Sequence, residues 1–488
     1  MASAVRDGRT VIVVGSGLAG LTAASAALQS NANAVVLLER AAKPGGNSIK
    51  ASSGINGAPT RFQLQSHPDT AFFSDTVKSA GKRIYSEATL EQTRRKGLIK
   101  LLTDSSAAAV DFLANEIGVD LSVVTQLGGH SAARTHRGAG RTPPGADIIT
   151  RLLGELRQDS RFELKTDSEV IRLLSSSHSP GPAGSSSPPA IIGVEYRSGN
   201  ELSSVAGPVV FATGGFAGDA DGLLAKHRPD LSGLPSTNEP RSGMHRLLTD
   251  VGAQLVDMDS VQIHPTGFVD PLSRDSPLKF LAAEMLRGEG GILLHNGRRF
   301  VDELDTREHV SRAIMDMEPG SGPLKQWDVQ LLLDPGACQT AASHVAFYEW
   351  KGLLSRKKVS ELDETTRSTL RDYSLAATKQ IPDVFGRTSF GHWALTGGHE
   401  DDDQEVCIGW VTPVTHFTMG GVAINDKCQV LSSSLDAETE APVPGLWAAG
   451  EITGGIHGDN RLGGSSLLEC VVFGRIAGEQ AAAEARSN

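Results

Sequence analysis

Residues 11–28, VIVVGSGLAGLTAASAAL, restrict the possible folds of this chain more than any other stretch. Residues 11–14 form a short β-branched run without alternation, which is typical of a strand buried on both faces. Gly15, Gly17 and Gly20 follow in a G-x-G-x-x-G pattern. The first glycine allows a tight turn, the second lets a pyrophosphate approach the backbone, and the third lets the next helix pack closely. The N–H groups at the start of that helix would face the pyrophosphate, so the stretch predicts a dinucleotide-binding turn.

A second apolar strand, AVVLLER at residues 34–40, follows the helix. Glu39 lies nineteen residues after Gly20, where such folds use a carboxylate to accept ribose hydroxyls. The first segment also resembles a signal peptide, because it is uncharged and leads to Ala-Asn-Ala, but its removal would delete the first strand. As a membrane span it is barely long enough and three glycines interrupt it. We therefore expect a Rossmann-like α/β domain.

Two later stretches, VVFATGGF (209–216) and GLWAAGEITGG (445–455), are also apolar strands that end in small residues and glycines. Together with the N-terminal pattern they predict one nucleotide site built from both ends of the chain. The middle of the chain would then be an insertion.

The predicted domains are residues 1–260 and 417–488, which are two parts of one nucleotide-binding domain, and the inserted residues 261–416. The insertion differs from the rest of the chain in its long stretches with apolar residues at helical spacing, such as VSELDETTRSTLRDYSLAATKQI (359–381). The Ser-, Pro- and Gly-rich residues 175–190 are expected to be a flexible loop that joins two antiparallel strands.

Composition excludes several classes of protein. A chain of 488 residues is long enough for two or more domains, and 39% apolar and 21% charged residues are typical of soluble globular proteins. The net charge of −11 argues against a nucleic-acid partner. The four cysteines lie far apart and form no CxxC or Cys/His motif, so we expect no metal site, no haem, no disulfide framework and a reducing compartment.

Two candidate clusters lie in the insertion. His264, in VQIHPTGF, precedes a proline that favours an extended backbone. Glu284 and Arg287, in FLAAEMLRGEGG, are three apart in a helical pattern and so share a face. Taken alone, the histidine is compatible with a structural role and the Glu–Arg pair with an ordinary surface ion pair.

A third cluster is RRFVDELDTREH at residues 298–309. Asp305 or Thr306 can cap a helix there, and Asp305-x-x-Glu308 has the spacing of a capping box. Arg307 would then lie in the first turn, where a cation opposes the helix dipole. Because a cation at this position slightly destabilises the helix, its presence indicates a functional role for Arg307. The apolar positions at helical spacing are Val310, Ala313, Ile314 and Met317.

The fourth cluster combines VTHFTMGG (414–421) with GGIHGDNRLGGSSLLECVVFGRIAG (454–478). His416, His457 and Arg461 lie there among glycines, and GGSSLL begins a C-terminal helix. Glycines at this density predict close approach of the backbone to a flat ligand.

Ordered motifs from about residue 10 to the end resemble the fumarate reductase/succinate dehydrogenase flavoprotein family. They are VVGSGLAGLTAA, GGNSIKASSGIN, GGHSAARTHRGAG, ATGGF, QIHPTG, LAAEMLRGEGGIL, RRFVDELDTRE, HFTMGG, LWAAGEITGGIHGDNRLGG and FGRIAG. The chain is most similar to the soluble, single-chain, yeast-type fumarate reductases of that family. The resemblance implies a Rossmann-like, glutathione-reductase-like FAD-binding domain interrupted by an α+β capping domain, with the active site between them.

The resemblance also implies the reaction, in which fumarate is reduced to succinate by hydride transfer from N5 of FAD. Arg307 matches the proton donor, and Glu284 and Arg287 match the relay that supplies it with protons. The residues that match the substrate site are His264, Thr266, His416 and Arg461. The expected FAD contacts are Gly15, Ser16, Gly17, Leu18, Ala19, Gly20, Glu39, Arg40, Gly46, Asn47, Ser48, Ala51, Ser52, Ser53, Gly54, Ile55, Asn56, His130, Thr213, Gly214, Gly215, Gly450, Glu451, His457, Arg461, Gly464, Ser465, Ser466 and Leu467.

Elementary chemistry agrees with these implied roles. Fumarate is a dianion, and one carboxylate suits the bidentate fork of Arg461. An arginine has a pKa above about 12, but the proton acceptor here is a carbanion, which is itself a very strong base. Neighbouring cations lower the cost of a transiently neutral guanidine, whereas a carboxylic acid beside Arg and His would not stay protonated.

Three departures from the family pattern matter. GGNSIKASSG has no histidine for covalent attachment, so we expect noncovalent FAD. The chain ends soon after FGRIAG, without the C-terminal helical domain of the membrane-complex flavoproteins. Ala283 precedes Glu284 where bacterial relatives often have Thr, so one carboxylate contact is lost or replaced by backbone.

Other activities stay open. A urocanate-like conjugated carboxylate could be the substrate, or succinate or aspartate could be oxidised. A ketosteroid enzyme would use tyrosines, of which the chain has only four. A subunit of a membrane complex and a noncatalytic flavin-binding module fit the motifs less well. We expect a small dicarboxylate substrate, reduced flavin or an NADH-linked electron donor, no nucleic-acid or membrane partner, a monomer, and a cytoplasmic location with the mitochondrion as alternative.

Overall fold

The computed structural model describes residues 9–63, 69–85, 89–140, 142–176, 188–432 and 440–487. The chain divides into two compact units. The first unit comprises Met1–Phe216, Gly243–Val261 and Phe417–Asn488, and the second comprises Ala217–Ser242 and Gln262–His416.

The predicted domains differ from these units in residues 217–242 and, at one boundary, by the single residue Val261. Residues 217–242 belong to the second unit and not to the first part of the nucleotide-binding domain. The reason is local pairing, because Ser236 forms β-bridges to Leu278 and Thr415 of the second unit. Residues 217–242 show no strand or helix pattern in the sequence that would predict their pairing with the second unit.

Along the described residues, the strands are β1 (Thr10–Val14), β2 (Ala34–Leu38), β3 (Ile55–Asn56), β4 (Val123–Thr125), β5 (Thr135–Arg137), β6 (Phe162–Lys165), β7 (Ser168–Ser175), β8 (Ile191–Ser198), β9 (Glu201–Ala206), β10 (Val209–Phe211), β11 (Leu255–Val256), β12 (Val261–Phe268), β13 (Phe280–Leu281), β14 (Ile292–Leu294), β15 (Val329–Leu333), β16 (Ser355–Lys358), β17 (Glu405–Thr418), β18 (Gly421–Val422), β19 (Gln429–Ser432) and β20 (Ala441–Ala448). The α-helices are α1 (Leu18–Gln29), α2 (Phe72–Ala80), α3 (Lys82–Tyr85), α4 (Leu90–Asp104), α5 (Ser106–Asp111), α6 (Pro144–Leu156), α7 (Leu223–His227), α8 (His245–Thr249), α9 (Met285–Gly288), α10 (Arg307–Met315), α11 (Pro335–Thr340), α12 (Ala342–Trp350), α13 (Glu364–Ala377) and α14 (Ser465–Ser487).

The first unit is built on a six-stranded sheet of order β19-β20-β10-β1-β2-β6. Its strands β20, β10, β1, β2 and β6 pair in parallel, and β19 is antiparallel at the edge. Every residue of β1 is buried, as expected for a central parallel strand covered on both faces. Because the strands run in parallel, the chain segments after β1, β2, β10 and β20 all emerge at one edge of the sheet.

Helices α1 and α14 pack closely against each other through glycines of α14. A Cβ atom at Gly474 would lie 2.7 Å from the carbonyl oxygen of Ala19, and one at Gly478 would lie 2.1 Å from that of Ala23. These short distances explain why the FGRIAG motif needs glycine at both positions. The packing joins the two ends of the chain within one unit.

A smaller sheet of the first unit has the order β7-β8-β9. β7 and β8 pair antiparallel, which confirms the two antiparallel strands predicted around residues 175–190. Most of the predicted loop, residues 177–187, lies outside the described residues.

The second unit contains a sheet of order β13-β12-β17-β15-β14, and β16 also pairs with β17. Helix α13 packs on it through Leu370 and Tyr373, which belong to an apolar cluster with Ile292 and Leu332. Asp363 caps this helix, because its carboxylate accepts from the backbone N–H of residue 366 at 3.0 Å. The unit is therefore α+β, as the family resemblance implied. None of the described helices is both long enough and apolar enough to cross a lipid bilayer.

Candidate active site

The glycine turn between β1 and α1 adopts the predicted geometry. Gly15 has φ of +100°, and a Cβ atom there would lie 2.4 Å from the carbonyl oxygen of Ala212. A Cβ at Gly20 would lie 1.9 Å from the carbonyl oxygen of Gly15. At Gly17 the nearest atom is a side-chain oxygen at 3.6 Å, so the backbone there stays open to an approaching group. Close packing therefore requires glycine at positions 15 and 20. At position 17, glycine leaves the backbone accessible to a ligand.

Glu39, the predicted ribose acceptor, is buried at the end of β2. Its Oε2 accepts from the backbone N–H of Ser16 at 2.9 Å and from the Ser16 hydroxyl at 2.5 Å. Its Oε1 accepts from the N–H of Ala41 at 2.7 Å. The carboxylate therefore ties the second strand to the glycine turn. Its contact with a ribose stays a prediction.

The predicted cofactor residues from both ends of the chain meet in the first unit. The hydroxyl of Ser48 accepts from the N–H of Leu18 at 3.1 Å. The amide of Asn56 donates to the hydroxyl of Ser465 at 3.0 Å. A Cβ at Gly464, which has φ of +81°, would lie 2.3 Å from Asn56 Oδ1, so the C-terminal helix can begin here only after a glycine.

The segments after β10 and β20 supply further predicted contacts. Gly214 has φ of +78° and no neighbour within 4 Å of a Cβ position, and Gly215 packs against the side chains of Thr418 and Glu451. The carboxylate of Glu451 accepts from the N–H of Thr418 at 2.9 Å. Burial raises the pKa of Glu451 to about 7. Among the described residues, the buried hydroxyl of Thr213 has no hydrogen-bond partner, which fits a polar ligand at this edge of the sheet.

His457 lies in a buried aromatic and acidic cluster of the first unit. Its Nε2 is 2.5 Å from Oε2 of Glu469, and both side chains are buried. The ring of Phe417 is 5.9 Å from that of His457, and the guanidinium of Arg461 lies 4.4 Å from the centre of the Phe417 ring. Glu469 is not among the predicted site residues. The sequence does contain an indication of its role, because Glu469 is a charged residue within the apolar run at the start of α14.

The remaining predicted cofactor residues also lie in the first unit: Ala19, Arg40, Gly46, Asn47, Ala51, Ser52, Ser53, Gly54, Ile55, His130, Gly450, Ser466 and Leu467. Open backbone at the strand ends, a helix N-terminus and a buried hydroxyl without a partner fit an FAD molecule with its pyrophosphate at the glycine turn.

In the second unit, Arg307 is the first residue of α10. Thr306 is the N-cap, and its hydroxyl accepts from the N–H of His309 at 3.2 Å. The capping box suggested for Asp305 and Glu308 does not form, because Asp305 accepts from the neighbouring N–H of Thr306 at 2.6 Å and Glu308 accepts from Arg312 at 2.6 Å. Val310 and Ile314 are buried as predicted, whereas Met317 lies beyond the end of the helix.

The Arg307 guanidinium is not part of an ordinary charged surface. Its Nε donates to Oε2 of Glu284 at 2.9 Å, and its Nη2 donates to the same oxygen. Its Nη1 donates to the side-chain oxygen of Gln262 at 3.0 Å. The Arg307 and Glu284 side chains are only 10% and 15% exposed. Gln262 was missed, although it lies two residues before His264 on β12 and therefore shares its face.

Arg287 is buried, and the charges of Glu284 and Arg307 act on it. We term Glu284, Arg287 and Arg307 the relay cluster, after their predicted role. One Arg287 nitrogen donates to the carbonyl oxygen of Glu303 at 2.7 Å. Burial lowers the pKa of Arg287, and the charge of Glu284 opposes this effect. A buried guanidinium of this kind releases a proton more readily than one in water.

His264 and His416 lie side by side in the second unit, with ring centres 5.5 Å apart. Burial, together with the charges of Arg307 and its neighbours, lowers the pKa of His264 well below its usual value. Its Nδ1 accepts from the N–H of Thr266 at 3.2 Å, so the neutral ring carries its proton on Nε2. That Nε2 has no hydrogen-bond partner among the described residues. His264 therefore presents a buried donor.

His416 is oriented by two residues that the sequence analysis missed. Its Nδ1 lies 3.0 Å from the hydroxyl of Thr237, and its carbonyl accepts from the amide of Asn238 at 2.9 Å. Both belong to residues 217–242, which were assigned to the wrong unit. At Ala283, the backbone N–H donates to the hydroxyl of Tyr348 at 3.2 Å, so it does not replace the missing threonine.

The structure thus brings His264, Thr266, Glu284, Arg287, Arg307 and His416 into the second unit, and Arg461 and His457 into the first. Within the described parts of the chain, no group of three or more His, Cys, Asp and Glu side chains is arranged to hold a metal ion. The four cysteines are buried and form no disulfide.

Comparison with known proteins agrees with this arrangement. Residues 10–467 match the family model described as FAD binding domain. The chain is 39% identical to a fumarate reductase of Schizosaccharomyces pombe, over 96% of this chain and 88% of the relative. It is 41% identical to fumarate reductase 1 of Saccharomyces cerevisiae, over 97% of this chain and 98% of the relative. A urocanate reductase of Eggerthella lenta is more distant, with 27% identity over 97% of this chain and 74% of that protein.

Among solved structures, the open conformation of a flavocytochrome c3 fumarate reductase superposes with a TM-score of 0.75 and 28% identity, covering 99% of this chain and 79% of that chain. The fold, the glycine turn and the near-complete match to these relatives lead to one assignment. The protein is an FAD-dependent oxidoreductase that acts on CH–CH groups, and it belongs to the FAD-binding flavoproteins of the fumarate reductase family.

Proposed function

We propose that this protein reduces fumarate to succinate, with Arg307 as the proton donor. The observation that carries the proposal is the relay cluster, where a mostly buried Arg307 is bonded to Glu284 in the same unit as a buried histidine donor. Relatives named fumarate reductases, at about 40% identity over nearly the whole chain, support the same substrate.

The proposed substrate site consists of hydrogen-bond donors for the two carboxylates of fumarate. Fumarate has two carboxylates, and Arg461 offers a planar fork to one of them. The Arg461 guanidinium rests on the ring of Phe417, which limits its rotation. His264 offers its Nε2 proton to the other carboxylate, together with His416 and Thr266. Because His264 is neutral, it orients the carboxylate without pairing with it as a full charge.

In the proposed reaction, Arg307 supplies the proton that completes the reduction of the double bond. Reduced FAD, when bound, supplies a hydride from N5. The hydride adds to one alkene carbon of fumarate, and the electron pair of the double bond moves to the adjacent carbon. Arg307 gives an N–H proton to that carbon, and succinate results. Arg287 then gives a proton to the Glu284 carboxylate, Glu284 passes it on to Arg307, and a proton taken up from solvent restores Arg287.

Arginine suits this role because of its surroundings. Its proton acceptor is a carbanion, so the transfer is favourable despite the high pKa of a guanidinium. Glu284 holds the guanidinium in place through two nitrogens, which fixes the direction of the remaining N–H bonds. Arg287 is a second cation in the same cluster, so the cluster carries no net negative charge when Arg307 has given up a proton.

The electron donor is proposed to be reduced free flavin or an NADH-linked partner, as the sequence predicted. FAD is proposed to be held noncovalently. A monomeric state and a cytoplasmic or mitochondrial location also stay predictions.

The decisive experiment is an anaerobic assay of the FAD-loaded protein with a chemically reduced dye as electron donor. Fumarate, urocanate, crotonate and a ketosteroid are compared under identical conditions. We expect fumarate to be reduced with the highest kcat/KM, because it alone offers a carboxylate to each set of donors. A higher kcat/KM for urocanate would assign the protein to the urocanate-like alternative. A higher value for crotonate would contradict the two-carboxylate site.

A further inference from the structure

Glu303 is a buried carboxylate next to the relay cluster that the proposed reaction does not use. It is fully buried, and its Oε1 accepts from the N–H of Leu293 at 3.2 Å. Arg299 donates to both of its oxygens at 2.8 Å. Arg387 donates to Oε2 at 3.0 Å. A buried charge is tolerated only when it is paired and hydrogen-bonded, and Glu303 satisfies both conditions.

Arg387 connects this carboxylate to Arg287. One Arg387 nitrogen donates to the carbonyl oxygen of Arg287 at 2.7 Å, and another donates to that of Gly291 at 3.1 Å as well as to Glu303. Its Nε donates to the carbonyl of Ser389 at 2.7 Å. Arg387 therefore uses its whole fork, and it fixes the backbone on both sides of the short turn that ends α9.

Glu303 holds Arg287 from the opposite direction. The backbone carbonyl of Glu303 accepts from the Arg287 guanidinium at 2.7 Å, while its carboxylate is held by Arg387. Arg387, Glu303 and Arg287 thus form a closed ring, in which the backbone and the side chain of Arg287 are both fixed. Helix α9 has only four residues and cannot orient Arg287 by itself.

The pairing of charges around Glu303 leaves a net positive charge in the relay cluster. Arg299 and Arg387 are paired with Glu303 and Asp383. Arg307 is paired with Glu284, and the same carboxylate is the negative charge that acts most strongly on Arg287. The surplus positive charge therefore lies in the relay cluster. A proton can leave that cluster without producing a buried net negative charge.

We infer that Arg387 and Glu303 are positioning residues of the proton relay, which hold Arg287 in register with Glu284 and Arg307. The inference rests on the proposed function, since it concerns the resupply of protons to Arg307. Neither residue touches substrate or cofactor in this account. Their removal should slow proton resupply and leave substrate affinity unchanged.

The test compares two lysine substitutions in the full-length, FAD-loaded protein. R387K keeps the charge beside Glu303 but loses the bonds to Arg287 and Gly291. R299K is the matched control, because Arg299 bonds the same carboxylate and, among the described residues, makes no hydrogen bond to Arg287. Fumarate kcat and KM, the solvent deuterium isotope effect on kcat, FAD content and Tm are measured for both.

For R387K we expect kcat to fall by about 100-fold, because a misplaced relay group loses that much even at small displacements. KM should stay within about twofold, and the solvent isotope effect should rise as proton transfer limits the rate. R299K should keep kcat within about threefold. E303Q, which keeps the shape of the side chain, should repeat the R387K pattern if R387K does not fold.

Equal loss of kcat in R387K and R299K, or a KM that rises as much as kcat falls with no change in isotope effect, would overturn the inference. R307A measured in parallel separates it from the proposed function. If R307A is inactive while R387K and R299K behave alike, only the inference fails. If R307A turns over normally, the proposed function fails and the inference fails with it.

Discussion

The glycine turn of the first unit and the relay cluster of the second unit are organised in opposite ways. The turn places Gly15, Gly17 and Gly20 within six consecutive positions, and their roles follow from backbone geometry alone. In the relay cluster, Arg307 and Glu284 are 23 positions apart, and Arg387 reaches Arg287 across 100 positions. The geometry of the glycine turn is therefore a local property of the chain, whereas the proposed proton transfer depends on long-range assembly.

Substitutions at the proposed substrate donors test whether each unit contributes to catalysis. R461A in the first unit and H416A in the second should each lower kcat/KM for fumarate by about 10²–10³-fold, because each leaves a carboxylate without its donor. R312A is the control, since Arg312 forms an exposed ion pair with Glu308 on α10. Steady-state kinetics with a reduced dye measures all three. Normal KM and kcat in R461A would remove the first unit from the substrate site.

Substitution of glycine tests the local character of the turn. G20A should lower the free energy of unfolding by about 1–3 kcal/mol and reduce bound FAD, because the added methyl group overlaps the carbonyl of Gly15. G97A in α4 is the control, as nothing lies within 4 Å of its Cβ position. It should stabilise the protein by about 0.5–1 kcal/mol.

Thermal unfolding and the FAD released into solution by denaturation measure both variants. FAD that stays with the denatured chain would contradict the noncovalent prediction. A G20A protein with normal Tm and normal FAD content would show that the turn tolerates a side chain where the geometry excludes one.

The difference between the two regions also explains what the sequence could predict. The Rossmann-like sheet, the existence of an insertion and the helix near Arg307 follow from periodicity and turn signals that lie within short windows. The α+β character of the inserted unit came from the family resemblance. The strand–glycine stretches predicted one nucleotide site built from both ends of the chain, and the family resemblance supplied the individual residues at 48–56 and 464–467. Family resemblance supplied Glu284 and Arg287, whose local pattern is that of a surface ion pair.

The remaining site residues carry no local signal of their role. Gln262, Glu303 and Arg387 are ordinary polar residues in the sequence, and only tertiary contacts bring them to the relay cluster. Thr237 and Asn238 belong to a segment whose unit is decided by bridges to distant strands. Capping by Thr306, and not by Asp305, depends on backbone dihedral angles that either sequence position could adopt.

The central claim is that Arg307 delivers the proton to the substrate. The most direct measurement is the anaerobic oxidation of reduced, FAD-loaded R307A and R307K by fumarate, followed by flavin absorbance and by succinate formed. We predict that both variants retain FAD and that the rate falls by about 10²–10⁴-fold, because a general acid contributes a factor in that range and lysine does not reproduce the two-nitrogen contact with Glu284. Oxidation at a near-normal rate in both variants would contradict the account.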